Sequence, residues 1–258
     1  MQIATWNVNS LTVRLPQVLD WLSANPVDVL CLQELKLTDD KFPFEALQAA
    51  GYGAAAFGQK TYNGVAILSR HALHDVRRNI TAFEDDQARV LSATIDTAQG
   101  PLRIINGYFV NGQTPGSEKF AYKMRWLSAL HAQVRAEMEH HPRLVVVGDF
   151  NVAPEDRDSF DPEGLRGTIH HTDEERGHFQ ALLALGLKDA FRLFEQPEKS
   201  YSWWDYRMLG FQKNRGLRID HILVSEALRP HVTACTIDRA PRKNPQPSDH
   251  APVVLTLD

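Results

Sequence analysis

At 258 residues and 43% hydrophobic content, the chain can bury a sizeable core as one large domain or two small ones, and no linker, low-complexity stretch or repeat decides for two. A net charge of −4 excludes nucleic-acid binding by bulk charge alone, while leaving room for a local basic face beside an acidic metal site. No apolar run approaches the roughly 18 residues of a spanning helix, Met1–Asn7 lacks the n- and h-regions of a signal peptide, and Cys31 and Cys235 lie in apolar strand patterns without metal-ligand spacing. The expectation is a soluble, cytoplasmic, single-domain protein spanning residues 1–258, with reduced cysteines and no membrane partner.

In chain order, Gln2 to Trp6 predicts a strand that leaves Asn7, Asn9 and Ser10 at its end. Thr12 then caps a helix with Leu15, Val18, Leu19 and Leu22 at helical spacing. Val27–Leu32 is a second buried strand, and it runs straight into Gln33 and Glu34. A short helix from about Pro43 to Ala50 stops at Gly51. Strand patterns follow at Tyr52–Phe57, Gly64–Leu68, Val90–Ile95 and Leu102–Ile105, the last continuing to Tyr108 and Phe109. The period then changes. Phe120, Met124, Leu127, Leu130, Val134 and Met138 mark one face of a long helix, with Ser117 as its cap.

Leu144–Val147 is another apolar, largely β-branched strand, ended by Gly148, and it delivers Asp149 and Asn151. Spaced by two, these point the same way in an extended segment. On its own the pair reads more simply as an Asx turn. About 20 irregular residues follow, longer than a structural connection usually is. They end at a capping box, Thr172–Glu175, for a helix closed by Gly186. A second irregular stretch, Tyr201–Gly216, leads into strand Ile219–Val224, and Ser248, Asp249 and His250 precede the last strand, Pro252–Leu257.

Many strands with about four helices predict an α/β sandwich. Asn7, Glu34, Tyr108 and Asp149 fall at the ends of strands; Asp220, Asp249 and His250 fall at the starts of others. In antiparallel packing these ends and starts share one rim of the sheet. Such a rim is hard and oxygen-rich, suited to Mg²⁺ held by one or two carboxylates, waters and phosphate oxygens. The pairs His140–His141 and His170–His171 lack the i,i+4 spacing of a helical zinc site. A metal, an Asp–His pair and amide donors together describe water attacking a phosphate ester. The competing serine hydrolase would need a Gly-x-Ser-x-Gly elbow, which is missing.

Seven segments carry a resemblance: Trp6–Asn9, Leu32–Lys36, Tyr62–Ala66, Ile105–Phe109, Gly148–Asn151, Gly216–His221 and Pro247–Pro252. In that order they resemble the exonuclease III family of DNA repair nucleases, within the endonuclease/exonuclease/phosphatase superfamily. The resemblance implies a four-layer α/β sandwich, two packed mixed β-sheets flanked by helices, with the site at one rim. It implies Mg²⁺-dependent hydrolysis, with Mn²⁺ the alternative ion, of phosphoesters in duplex DNA with nicks, 3′-blocked ends or abasic sites, by a monomer. By motif position Glu34 is the main metal ligand, with Asn7 and Asp249 beside it. Asp149 orients or deprotonates the attacking water, and Asn151 binds a phosphate oxygen. His250, partnered by Asp220, stabilises phosphoryl charge; Tyr108 meets the phosphate or leaving group. The base role stays open between Asp149 and His250.

The same resemblance assigns Trp203, Trp204, Leu217 and Ile219 to a pocket for a sugar without its base, where a bare Trp–Trp pair otherwise reads as core. Lys119, Lys123, Arg207, Lys213, Arg215 and Arg218 are candidate phosphate contacts. Two departures stand out. Val110–Asn111 replaces the usual proline-glutamine, and Ile169–His171 resembles a bacterial subgroup that favours 3′ ends, with His170 placed to obstruct a flipped abasic sugar. A superfamily phosphatase acting on other substrates and a non-catalytic DNA-binding relative are the alternatives.

Overall fold

The computed structural model describes all residues from 1 to 258. In chain order the first half holds β1 (Gln2–Asn7), α1 (Leu11–Ala24), β2 (Val29–Gln33), α2 (Phe44–Ala49), β3 (Gly53–Phe57), β4 (Val65–Ser69), β5 (Leu73–Arg78), β6 (Val90–Thr97) and β7 (Gly100–Tyr108). The second half holds α3 (Glu118–His140), β8 (Leu144–Asp149), α4 (Asp173–Ala184), β9 (Lys188–Asp189) and β10 (Trp203–Trp204). It closes with β11 (Gly216–Leu217), β12 (Asp220–Val224), β13 (Val232–Ile237) and β14 (Val253–Leu257).

Two six-stranded mixed sheets form, in the orders β13-β14-β1-β2-β4-β3 and β5-β6-β7-β8-β12-β9, with β10 and β11 as a separate ribbon. Their inner faces meet in one core that takes Ile3, Val29, Cys31 and Ile67 from the first sheet and Leu91, Ile104, Val147 and Ile222 from the second. The outer face of the first sheet packs Ala4, Leu30 and Leu68 against Val18 and Leu22 of α1 and Leu47 of α2. The outer face of the second packs Ile105 and Val146 against Trp126 and Leu130 of α3 and Phe179 of α4. This is the expected four-layer sandwich. β1, β2, β4 and β8 are buried on both faces, which is why they read as continuous apolar runs without alternation.

Each sheet has one parallel pair at its centre, β1 with β2 and β7 with β8, and every other pairing is antiparallel. Register then fixes the rim. Asn7 stands opposite Gln33, Tyr108 opposite Asp149, and Asp220 opposite Asp149. The two ends at β7 and β8 approach closely at Gly107 and Gly148. At φ 143° a side chain on Gly148 would place its Cβ 1.9 Å from the Gly107 carbonyl oxygen, so only glycine fits.

Ser117 caps α3 by accepting from the Phe120 N–H at 3.1 Å, and Thr172 and Glu175 form the capping box of α4, both as expected. Thr12 does not cap α1. The helix begins at Leu11 with Ser10 at the N-cap position, and Thr12 lies inside its first turn. The edge strand β5 is an addition. Its His74, Asp75, Arg77 and Arg78 are exposed, and so much charge hides a strand pattern while protecting the sheet edge from pairing.

Candidate active site

The rim gathers Asn7, Glu34, Tyr108, Asp149, Asn151, Asp220 and His250 from six chain segments. Asn7 ends β1, and its amide nitrogen donates to Glu34 Oε1 and to Asp149 Oδ2, both at 2.9 Å. The Asn7 oxygen is already taken, accepting from the Asn9 N–H at 3.0 Å. Asn7 therefore ties two carboxylates together and turns its nitrogen toward them, where a metal ligand would present its oxygen.

His250 is buried, with its Nδ1 edge 2.9 Å from Asp220 Oδ2 and its Nε2 3.7 Å from Asp149 Oδ2. Ser202 Oγ donates to the same Asp220 oxygen at 2.7 Å and accepts from the Ile219 and Asp220 N–H groups, which locks the aspartate in place. Burial opposes charge on His250, but Asp220 and Asp149 outweigh it and raise its pKa to about 10. Burial likewise disfavours the Asp149 carboxylate, and with Asp220 and Glu34 nearby its pKa is pushed up to about 7 against the pull of the His250 cation. Tyr108, also desolvated and facing Glu34 and Asp149, keeps its hydroxyl proton well above the ordinary phenol range. Arg89 lies 5.0 Å over its ring.

Asn151 is held in the left-handed region, at φ 51°. Its N–H donates to Asp149 Oδ1 at 3.0 Å, its amide nitrogen donates to the Phe109 carbonyl at 3.0 Å, and its amide oxygen accepts from Asn111 at 3.2 Å. One amide hydrogen is left over. Its carbonyl accepts from Lys123 Nζ at 2.8 Å and lies 2.6 Å from His170 Nδ1.

Oxygens of Glu34 and Asp149 and a ring nitrogen of His250 lie within 4.8 Å of one another. Glu34, partly exposed and converging on Asp149, fits a hard divalent cation that keeps several waters. Asp249, expected beside Glu34, lies outside this cluster. Its oxygens accept from Asn9 at 3.0 Å and from Trp203 Nε1 at 2.9 Å.

Residues 4–250 match the endonuclease/exonuclease/phosphatase family. The chain belongs to this family. Within it, the chain falls in the exonuclease III branch. It is 36% identical to the exodeoxyribonuclease III of Haemophilus influenzae over 262 residues, covering 98% of each. It superposes with a TM-score of 0.97 on the 3′ phosphatase NExo from Neisseria bound to product DNA hairpin, at 49% identity over 100% of this chain and 99% of that one. With an AP endonuclease from Archaeoglobus fulgidus the TM-score is 0.94, at 35% identity over 100% of this chain and 99% of that one.

Around this family site the candidate DNA contacts divide. Lys119, Arg207, Lys213 and Arg215 are exposed, and Trp203 is partly buried beside Asp249. Lys123 is a correction. It is fully buried, and its Nζ pairs with Glu175 and the Asn111 and Asn151 carbonyls, so it braces the Asn151 loop from inside. Arg218 is a second, 1% exposed and paired with Asp158 at 2.6 Å and Asp189 at 2.8 Å. Trp204 is a third, fully buried and packed edge-on against Phe211. Leu217 is buried against Ala153 and Ile219, a floor rather than an open wall.

Sequence reasoning missed Lys36 and Asn9 as site residues, although both lie inside recognised motifs. Lys36 Nζ is 2.9 Å from Glu34 Oε2 and bonds Asn9 Oδ1, which continues through Asn9 to Asp249. The mix of charge and amide within Gln33–Lys36 was the available signal.

Proposed function

We propose that this chain is a divalent-metal-dependent DNA repair nuclease that hydrolyses phosphoesters in duplex DNA, acting mainly on 3′ ends. The observation that carries the mechanism is the buried line Asp220–His250–Asp149, flanked by Glu34. Glu34 would hold Mg²⁺ or Mn²⁺, which when bound would draw charge from the phosphoryl oxygens, while Asp149 faces the attacking water.

The residues of the chain do the rest. Asp149, poised near neutral pH, takes a proton from the attacking water as the new P–O bond forms. His250, kept cationic by Asp220, donates to a non-bridging oxygen where charge builds up, and the spare Asn151 amide hydrogen serves a second. The P–O bond to the leaving oxygen breaks, and the protonated Tyr108 hydroxyl is the nearby donor for that oxygen. Asn7 keeps Glu34 and Asp149 in register throughout.

The preference for 3′ ends is supported by His170. This residue adopts a positive φ of 69° and packs its ring on the Asn151 carbonyl. Burial and the Lys123 cation push its pKa down to about 3, so it is neutral and bulky beside the phosphate-holding loop. A relative of 49% identity is described as a 3′ phosphatase. End-labelled duplexes carrying a nick, a 3′-phosphate or an internal abasic-site analogue, incubated with and without chelator, test the reading. The expected result is chelator-sensitive turnover, fastest at 3′ ends, with internal abasic incision rising in His170→Gly. Cleavage that resists chelator refutes the metal mechanism, and unchanged abasic incision in His170→Gly refutes the role of His170.

A further inference from the structure

Five arginine and lysine side chains are buried in the fold: Arg89, Arg103, Lys123, Arg218 and Arg242. Arg103 faces Glu137 at 2.8 Å, Lys123 faces Glu175, and Arg218 faces Asp158 and Asp189. Arg89 has no acid, but each of its three nitrogens donates to Gln87 or to the Tyr108 carbonyl. Arg242 has neither arrangement.

Arg242 is 7% exposed and sits in the turn Ala240–Lys243, shortly before Ser248, Asp249 and His250. Nη1 donates to the Ser248 carbonyl, while Nε has no acceptor. The guanidinium lies 5.0 Å from the Phe211 ring centre, 5.6 Å from Tyr206 and 5.8 Å from Trp204. These aromatic faces return part of the desolvation cost, yet a buried cation without an anion is still unfavourable. Burial pulls its pKa below the usual arginine value, and Tyr206 and Asp249 only partly offset this.

Arg242 also lines a cleft of about 470 Å³ whose other polar walls are Asp205, Tyr206, Gln212, Lys243 and Asn244. Asp205, the acid on its wall, is engaged by the Arg207 N–H at 2.8 Å. Tyr206 separates the cleft from the active site. Its hydroxyl donates to the Pro247 carbonyl at 2.7 Å and stands 3.4 Å from Asn9, which bonds Asp249. The cleft therefore adjoins the catalytic rim through Tyr206 and Asn9.

We propose that this cleft is a second phosphate site, which holds a backbone phosphodiester of the duplex away from the bond being cut. A planar guanidinium and a lysine ammonium, with the Gln212 and Asn244 amides, outweigh the single Asp205 carboxylate and are donors matched to phosphate oxygens. Such a contact positions the duplex and carries no sequence information. The inference rests on the DNA nuclease reading.

The test is equilibrium binding of a labelled nicked duplex to the full chain in chelator, across a salt series, for the parent, Arg242→Gln and Lys243→Gln, followed by steady-state kinetics in Mg²⁺. Each variant is expected to bind roughly tenfold more weakly and to lose about one unit of the salt slope, with KM raised and kcat retained. Lys243 is exposed, so its variant leaves the packing of the turn intact. Unchanged affinity and slope in Lys243→Gln overturn the site. So does a lower kcat at constant KM in Arg242→Gln, which makes Arg242 a prop for Ser248 and His250. A parent chain that does not bind the duplex contradicts the nuclease reading instead.

Discussion

Asp220 holds the Nδ1 edge of His250 at 2.9 Å, and both side chains are buried. The carboxylate thus fixes the ring orientation and keeps the imidazolium charged, the state that the proposed mechanism needs beside the phosphoryl group. Asp220→Asn preserves the shape and removes the charge. The expected loss is roughly 10²–10⁴-fold in kcat with little change in KM, measured by steady-state release of phosphate from a 3′-phosphorylated nick. A variant with parental kcat removes Asp220 from the mechanism.

Asn7 donates to Glu34 and Asp149 from a single nitrogen, so removing it leaves two carboxylates facing each other without a shared donor. Asn7→Ala should lose about 10²-fold in kcat/KM and shift the Mg²⁺ concentration for half-maximal rate, while duplex binding in chelator holds. A large loss of duplex binding would instead make Asn7 a DNA contact.

Gly148 lets β7 and β8 bring Tyr108 and Asp149 side by side. Gly148→Ala forces a Cβ into the Gly107 carbonyl and should cost about 3 kcal/mol in urea unfolding. A cost under about 1 kcal/mol would mean that the strands part easily there.

Asp158 and His221, both beside Arg218, contribute to the response to acid. Burial opposes the Asp158 carboxylate, but Arg218 and Arg192 prevail and hold its pKa below the usual value. Its contribution is complete above the unfolded pKa near 3.9 and is lost as pH falls through the lower folded value. His221 is kept neutral, with its pKa lowered to about 4 by burial and then by Arg218. Between roughly pH 6.5 and pH 4 the unfolded chain binds the proton that native His221 refuses, so stability falls as pH falls, by about 3 kcal/mol for this group. Urea titrations from pH 7 to pH 4 should show that decline as the difference between the parent and His221→Gln, because His170 and Asp149 also titrate differently in the folded chain. Asp158→Asn should cost about 3–5 kcal/mol at pH 7 by leaving Arg218 with Asp189 alone and Arg192 without its carboxylate. A His221→Gln profile that runs parallel to the parent's over that range contradicts the assignment of His221.

The rim was legible in the sequence because apolar strands ended abruptly in Asn7, Glu34, Tyr108 and Asp149, and polar ends on buried strands have few other uses. The strand register that joins them to Asp220 and His250 is long-range, and only the family resemblance anticipated it. Lys123 was misplaced although its position held the answer. It lies three residues after Phe120 and three before Trp126, on the buried stripe, where a lysine needs an acid. That acid, Glu175, also belongs to the capping box that marked the start of α4. Arg218 depends on Asp158 and Asp189, and Asn9 on Asp249, partners too distant in sequence for spacing to reveal.

The most direct test is single-turnover hydrolysis of a nicked duplex bearing a 3′-phosphate, with saturating enzyme and Mg²⁺, comparing the parent with Asp149→Asn. The account predicts that Asp149→Asn binds the duplex with near-parental affinity but releases phosphate at least about 10²-fold more slowly, and that chelator abolishes release by the parent. Release by Asp149→Asn at the parental rate, or release by the parent in chelator, contradicts it.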